Sequence, residues 1–187
     1  MEEISVKISE KRTRVMLRKT LFKLLKSKTF NDISVNEICN ISMISRSTFY
    51  SYYADKYRLL SDTMENLIFE TSAIDSDFKI EDMVESILSN IMNHKRVFYN
   101  INESSNIEEI ITMYHESFRK RIIYFVENTT LKVREDIPID VLCLICSSGI
   151  RELVNAWLYS SNHSNENLVE YLTVFLKANL IKNETIE

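Results

Sequence analysis

The chain has 187 residues, enough for one sizeable core or two small ones, and its 45% hydrophobic and 27% charged content excludes bulk disorder. Glycine occurs once, at Gly149, and proline once, at Pro138, so phosphate loops, dinucleotide fingerprints and nucleophile elbows that depend on glycine cannot be written here. The net charge of −4 hides a segregation: residues 1–60 carry 12 Lys and Arg against 6 Asp and Glu, and the remainder carries 11 against 21.

Strand-rich folds need Gly, Pro and Asn-Gly or Asp-Gly turns at short intervals, and their scarcity predicts an all-α protein of helices joined by Asn- and Ser-bearing loops. Lys7 to Lys28 places Val15, Leu17, Leu21, Phe22, Leu24 and Leu25 mostly three and four apart among Lys and Arg, which predicts a first amphipathic helix. Ser34-Val35-Asn36-Glu37 reads as a capping box, its Ser oxygen and Glu carboxylate satisfying free amides of a second helix that runs to about Ile41. After Ser42, Met43 and Ile44, Ser45 caps a third helix from Arg46 to about Tyr53. Asp55 caps a fourth with Leu59, Leu60, Met64, Leu67 and Ile68. Two short helices and a tight turn form a helix-turn-helix, and the basic excess of residues 1–60 is the electrostatic footprint of a nucleic-acid-binding head.

Ser34, Ile38-Cys39, Ser45, Thr48-Phe49-Tyr50, Tyr52-Tyr53, Lys56 and Leu59-Leu60 together carry a specific resemblance. The segment Ser34 to Leu60 resembles the DNA-binding head of the TetR family of bacterial transcriptional regulators. One position departs from the family pattern: Met43 stands where glycine is usual, so the turn is expected either to widen or to hold a non-glycine residue in a left-handed conformation.

Helix three is about two turns long, so only side chains near its start reach base edges. Arg46 is the candidate base reader, since a guanidinium donates bidentately to guanine O6 and N7; a phosphate contact is its alternative. Ser47 and Thr48 are short enough for close approach, and Tyr50, Tyr52 and Lys56 suit phosphate anchoring. Asn36 occupies a position from which family members reach DNA, and the helix N-terminus there favours phosphate. Phe49 is expected to be core, and so is Tyr53, four residues on along the same face.

From about residue 73 the pattern weakens and the charge changes sign. The expected division is therefore 1–60 as the helix-turn-helix domain, with a connecting helix to about 72, and 73–187 as a helical dimerisation and effector-binding domain. A helix is expected from Ile80 to Phe98, another from a second capping box at Ser105-Asn106-Ile107-Glu108 to about Val126, a third from Ile139 to Tyr159 behind Pro138, and a last one capped by Ser164. The resemblance implies that the last two helices pair with their copies in a second subunit, with Leu142, Ile145, Leu153, Leu172 and Phe175 supplying the apolar surface of a homodimer. Two heads about 34–36 Å apart would then read a near-palindromic duplex. Gly149 and Ala156 would permit close helix approach.

A small-molecule effector would need a cavity among the middle helices, lined by Phe98, Met113, Tyr114, Phe118, Tyr124 and Trp157. Two readings stay open: a repressor released by such an effector, or a regulator without a ligand that acts through protein partners as an activator. No enzyme, cofactor or metal is expected. Cys143 and Cys146 lack a second pair and lie in an apolar helix, and His94, His115 and His163 form no ligand pattern. The longest purely apolar run, Val141 to Cys146, is far short of a bilayer span, the start Met1-Glu2-Glu3-Ile4 lacks an apolar secretory stretch, and three cysteines suggest no disulfide framework, so a cytoplasmic protein is expected.

Overall fold

A computed structural model describes residues 2–69, 79–103, 107–128, 132–159 and 165–182. Among the described residues the elements are α1 (Glu2–Leu25), α2 (Val35–Ser42), α3 (Arg46–Tyr52), α4 (Lys56–Phe69), α5 (Ile80–Asn93), α6 (Lys95–Asn102), α7 (Ile107–Asn128), α8 (Ile139–Tyr159) and α9 (Asn165–Leu180). The one extended pairing among them is an isolated antiparallel bridge between Val133 and Ile181. The fold is all-α, as the scarcity of turn residues predicts.

The caps act where the sequence places them. Ser34 Oγ accepts from the Glu37 amide at 3.1 Å, Ser45 Oγ from the Thr48 amide at 3.1 Å, and Asp55 Oδ1 from the Arg58 amide at 2.8 Å. Only the Ser half of the expected capping box forms: Glu37, expected to satisfy a free amide, instead accepts from Lys28 Nζ at 2.6 Å. The caps expected from Ser105 and Ser164 fall outside the described residues. One expected element divides: the stretch from Ile80 to Phe98 breaks at His94, whose φ of −127° and ψ of 27° leave the helical region and separate α5 from α6.

The chain forms two compact units, Met1–Leu67 with His94–Ile110, and Ile68–Asn93 with Ile111–Glu187. In the first, α1 packs against α2 and α6, and α2 against α3. Leu17, Leu21, Leu25, Phe30, Ile38, Phe49, Leu59 and Leu60 are wholly buried there. The return of α6 to this unit is held by one buried residue: the side-chain Nδ2 of Asn100 donates to the Leu25 carbonyl at 2.7 Å, while its main-chain carbonyl accepts from the Phe30 amide at 2.9 Å. A buried residue bonded through both side chain and main chain specifies one register.

In the second unit α9 packs against both α5 and α8, over a core that includes Met83, Leu88, Ile122, Phe125, Cys146, Leu172 and Leu176. Arg119 bonds Asp140 and Lys177 bonds Glu81, tying α7 to α8 and α9 to α5. By length and composition α8 reaches what a bilayer span needs, a property that core helices share. Its Leu142, Cys143, Cys146, Ser147, Val154, Trp157 and Leu158 are buried inside the unit. Gly149 receives the tip of the Phe175 ring: a Cβ there would stand 2.6 Å from Cζ, so the residue's smallness serves packing of α9 on α8 within the chain.

Candidate nucleic-acid interface

α3 presents two unlike faces, and the inner one sets the outer. Phe49 is wholly buried and Tyr53, just past the helix end, nearly so, as their four-residue spacing predicts. Tyr53 donates its phenol proton to Asp62 of α4, and Arg18 of α1 donates to the other oxygen of the same carboxylate at 3.1 Å. Arg14 lies 4.0 Å from Asp62 and holds its guanidinium over the Tyr52 and Tyr53 rings, 5.5 and 5.2 Å from their centroids. Burial first, and the bond to Asp62 second, push the Tyr53 phenol up, so it remains a protonated donor. Asp62 thus joins α1, α3 and α4, a role that no local pattern in the sequence marks.

Fixed from behind, α3 exposes Arg46, Ser47, Thr48 and Tyr50 to solvent. Ser45 caps the helix and also lies 2.9 Å from Ser47 Oγ and 2.8 Å from Thr48 Oγ1, so these short hydroxyls start out oriented. Tyr50 stands edge-on to Phe49, 5.4 Å between centroids, with its own ring exposed. Asn36, in the first turn of α2, is exposed as well. The turn between α2 and α3 takes the left-handed alternative: Met43 has φ 53° and ψ 36°, its amide donates to the Asn40 carbonyl, and its side chain is 95% exposed.

Two of the seven expected contact residues differ from this group. Tyr52 is half-buried under Arg14. Lys56 donates to the carbonyls of Phe30 at 2.8 Å, Ile33 at 2.9 Å and Asn31 at 3.3 Å, and its Nζ lies 4.5 Å from the Phe30 ring centroid. An ammonium has three N–H donors, and these carbonyls use all of them. Burial lowers its pKa, opposed by the nearby Asp32. In this structure Lys56 clamps the 30–33 turn to the start of α4.

No family model matches the chain. It is 23% identical over 170 residues, 90% of each chain, to a protein from Lactococcus lactis subsp. lactis described as the HTH-type dhaKLM operon transcriptional activator DhaS. A TetR transcriptional regulator from Streptococcus agalactiae superposes with a TM-score of 0.57 at 19% identity, covering 93% of this chain and 98% of that one. A structure described as the dihydroxyacetone kinase operon activator DhaS gives 0.55 at 21%, covering 89% and 94%. The fold is that of the TetR-family regulators.

Within this TetR-type fold the six residues expected to line an effector cavity differ in unit and in exposure. Phe98 belongs to the first unit, Tyr124 is exposed, and Met113 and Phe118 are buried. Tyr114 is half-buried, with its phenol pushed up by burial. Trp157 lines a small cavity of about 200 Å³ in the second unit, with Glu85, Leu88, Ser89, Met92, Leu168 and Val169.

The expected dimer surface also needs correction. Leu142 and Leu172 are core residues, 1% and 2% exposed, and Phe175 is half-buried against Gly149. Ile145 and Leu153 do face solvent, and the other exposed large apolar residues of α8 are Val141, Leu144 and Tyr159. On α9 the exposed apolar residues are Tyr171 and Val174, neither of which the sequence reading singled out. A three-residue offset along a helix separates Val174 from Tyr171, the spacing that marks one face.

Among the described residues no group of three His, Cys, Asp or Glu is placed to hold a metal ion. Cys39, Cys143 and Cys146 are free and buried, and burial pushes the Cys146 thiol up to about 12. Such a thiol stays protonated at neutral pH and packs as a small apolar group.

Proposed function

We propose that the chain is a sequence-specific DNA-binding transcriptional regulator that acts as a homodimer in the cytoplasm. The observation that carries this reading is the row Arg46, Ser47 and Thr48 at the start of α3, exposed, hydroxyl-oriented by Ser45 and braced from behind by Phe49 and the Tyr53–Asp62 bond. A helix held this way brings a fork donor and two short hydroxyls to base edges, while Asn36 and Tyr50 supply phosphate contacts on either side. Dimerisation through Ile145, Leu144, Tyr171 and Val174 would set two heads against one near-palindromic duplex.

As a repressor, the protein would take a small effector in the cavity beside Glu85 and Trp157, and binding there would lower operator affinity. A second reading, activation through a protein partner, is favoured by the resemblance over nine-tenths of both chains to a protein described as an operon activator. Selection of bound fragments from the host genome tests the common core: one short palindromic site should emerge over bulk DNA, with affinity falling steeply as salt rises. Recovery of no preferred site would overturn it. A reporter placed behind the selected site, with and without the gene, separates repression from activation.

A further inference from the structure

Along α1 the side chains at 11 and 12, 15 and 16, 19 and 20, and 23 fall at four-residue intervals on one face. With Ile41 of α2 they line an open groove of about 770 Å³: Lys11, Arg12, Lys19 and Lys23 are its cations, Val15, Met16 and Ile41 its apolar floor, and among the described lining residues there is no carboxylate. Met16 and Ile41 are each 49% exposed and stand side by side in the groove, so they form a joint apolar floor open to solvent. The groove shares no residue with the row on α3 or with Asn36, Tyr50, Tyr52 or Lys56.

We propose that this groove docks an acidic amphipathic helix of a partner protein. The rungs from 11 to 23 span about 18 Å at ~1.5 Å per residue, the length of three helical turns. A partner helix with apolar anchors at i, i+3 and i+7 covers Val15, Met16 and Ile41, and carboxylates on its flanks meet the four cations. A nucleic-acid backbone satisfies the cations but leaves the apolar floor uncovered, which is why a peptide is the better fit. The groove goes beyond operator recognition and stands independently of it.

The test uses the full-length protein and a fluorescein-labelled peptide of about 15 residues, Leu at i, i+3 and i+7 with Glu and Asp between. Fluorescence anisotropy should rise to saturation, and Met16→Glu or Ile41→Glu should each weaken binding about tenfold or more, because each buries a carboxylate in the floor. Lys19→Glu with Lys23→Glu should weaken it and flatten its salt dependence, whereas Met16→Leu should retain it. Circular dichroism of each variant shows that the head is folded; were Ile41→Glu to unfold it, the surface pair at Lys19 and Lys23 carries the same test. Equal binding of a scrambled isomer, equal binding of a neutral peptide with the same Leu stripe, or no binding to the wild type would overturn the proposal. Displacement by a mixed-sequence duplex would assign the groove to nucleic acid, and loss of an oligomer on Ile41→Glu would assign it to a second copy, both against the proposal. Binding of the peptide by a protein with no preferred duplex would defeat the regulator reading alone; operator binding without peptide binding would defeat the groove alone.

Discussion

Lys56 Nζ stands 2.8 Å from the carbonyl oxygen of Phe30, 26 residues earlier, and the same ammonium reaches the carbonyls of Asn31 and Ile33. Lys56→Met keeps most of the stem and removes all three bonds. Bonds to a charged group contribute about 1.5–3 kcal/mol, so a loss of that order is expected in urea unfolding. A variant as stable as the wild type, with duplex affinity lowered equally for every sequence, would return Lys56 to the role of phosphate anchor.

Met43 holds a left-handed backbone with a side chain that touches almost nothing. A residue with a Cβ in that region costs roughly 1–2 kcal/mol, which glycine avoids, against the greater entropy glycine gives the unfolded chain. Met43→Gly should therefore stabilise the protein by about 0.5–1 kcal/mol, whereas Met43→Ala, which keeps the Cβ, should not. Equal stability of the glycine and alanine variants in chemical denaturation would show that the turn is not strained.

Arg46 and Tyr50 are both exposed on α3 but are assigned different work. Arg46→Ala should cost about 1–3 kcal/mol and relax preference at one base pair of each half-site. Tyr50→Phe should weaken all sequences alike. Binding across a set of single-base operator variants decides between them, and an Arg46→Ala profile parallel to the wild type would make Arg46 a phosphate contact.

The dimer proposal rests on Val174 and Ile145, 61% and 43% exposed in one chain. Burial of one such side chain is worth ~1.5–3 kcal/mol, and a two-fold interface counts each substitution twice. Val174→Glu should give a folded monomer by sedimentation at micromolar concentration. Leu172→Ala, a core truncation, should instead lower stability by about 2–5 kcal/mol. A dimer untouched by glutamate at both Val174 and Ile145 would place the interface elsewhere.

Burial holds the His94 and His115 imidazoles below their ordinary value of 6.5, with Lys26 and Arg151 adding repulsion. The unfolded chain takes up these protons at higher pH than the folded one. Stability present above about pH 6.5 is therefore lost as the pH falls through the folded-state values. Thermal midpoints measured between about pH 7.5 and 5.5 should decline, and the double variant His94→Gln, His115→Gln should flatten that decline. An equal slope in the double variant would show that other groups carry it.

What the sequence determined by itself was the set of features that act within one helical turn. Ser34, Ser45 and Asp55 accept from amides three residues ahead, and Phe49 and Tyr53 share a face four apart, so α2, α3 and the start of α4 were legible from spacing alone, while the row at Arg46 followed from the family resemblance. Tertiary structure decided whatever depends on a distant partner. Asn100 meets the Leu25 carbonyl across 75 residues, Asp62 collects Tyr53 and Arg18, and Lys56 turns inward to a loop. The same holds for the apolar helices of the second unit. Leu142 and Ile145 are alike in chemistry, as are Leu172 and Val174, yet the first of each pair is core and the second is exposed. Hydrophobic periodicity reports that a face avoids water; which face a neighbouring helix covers follows only from the packing of α9 against α5 and α8.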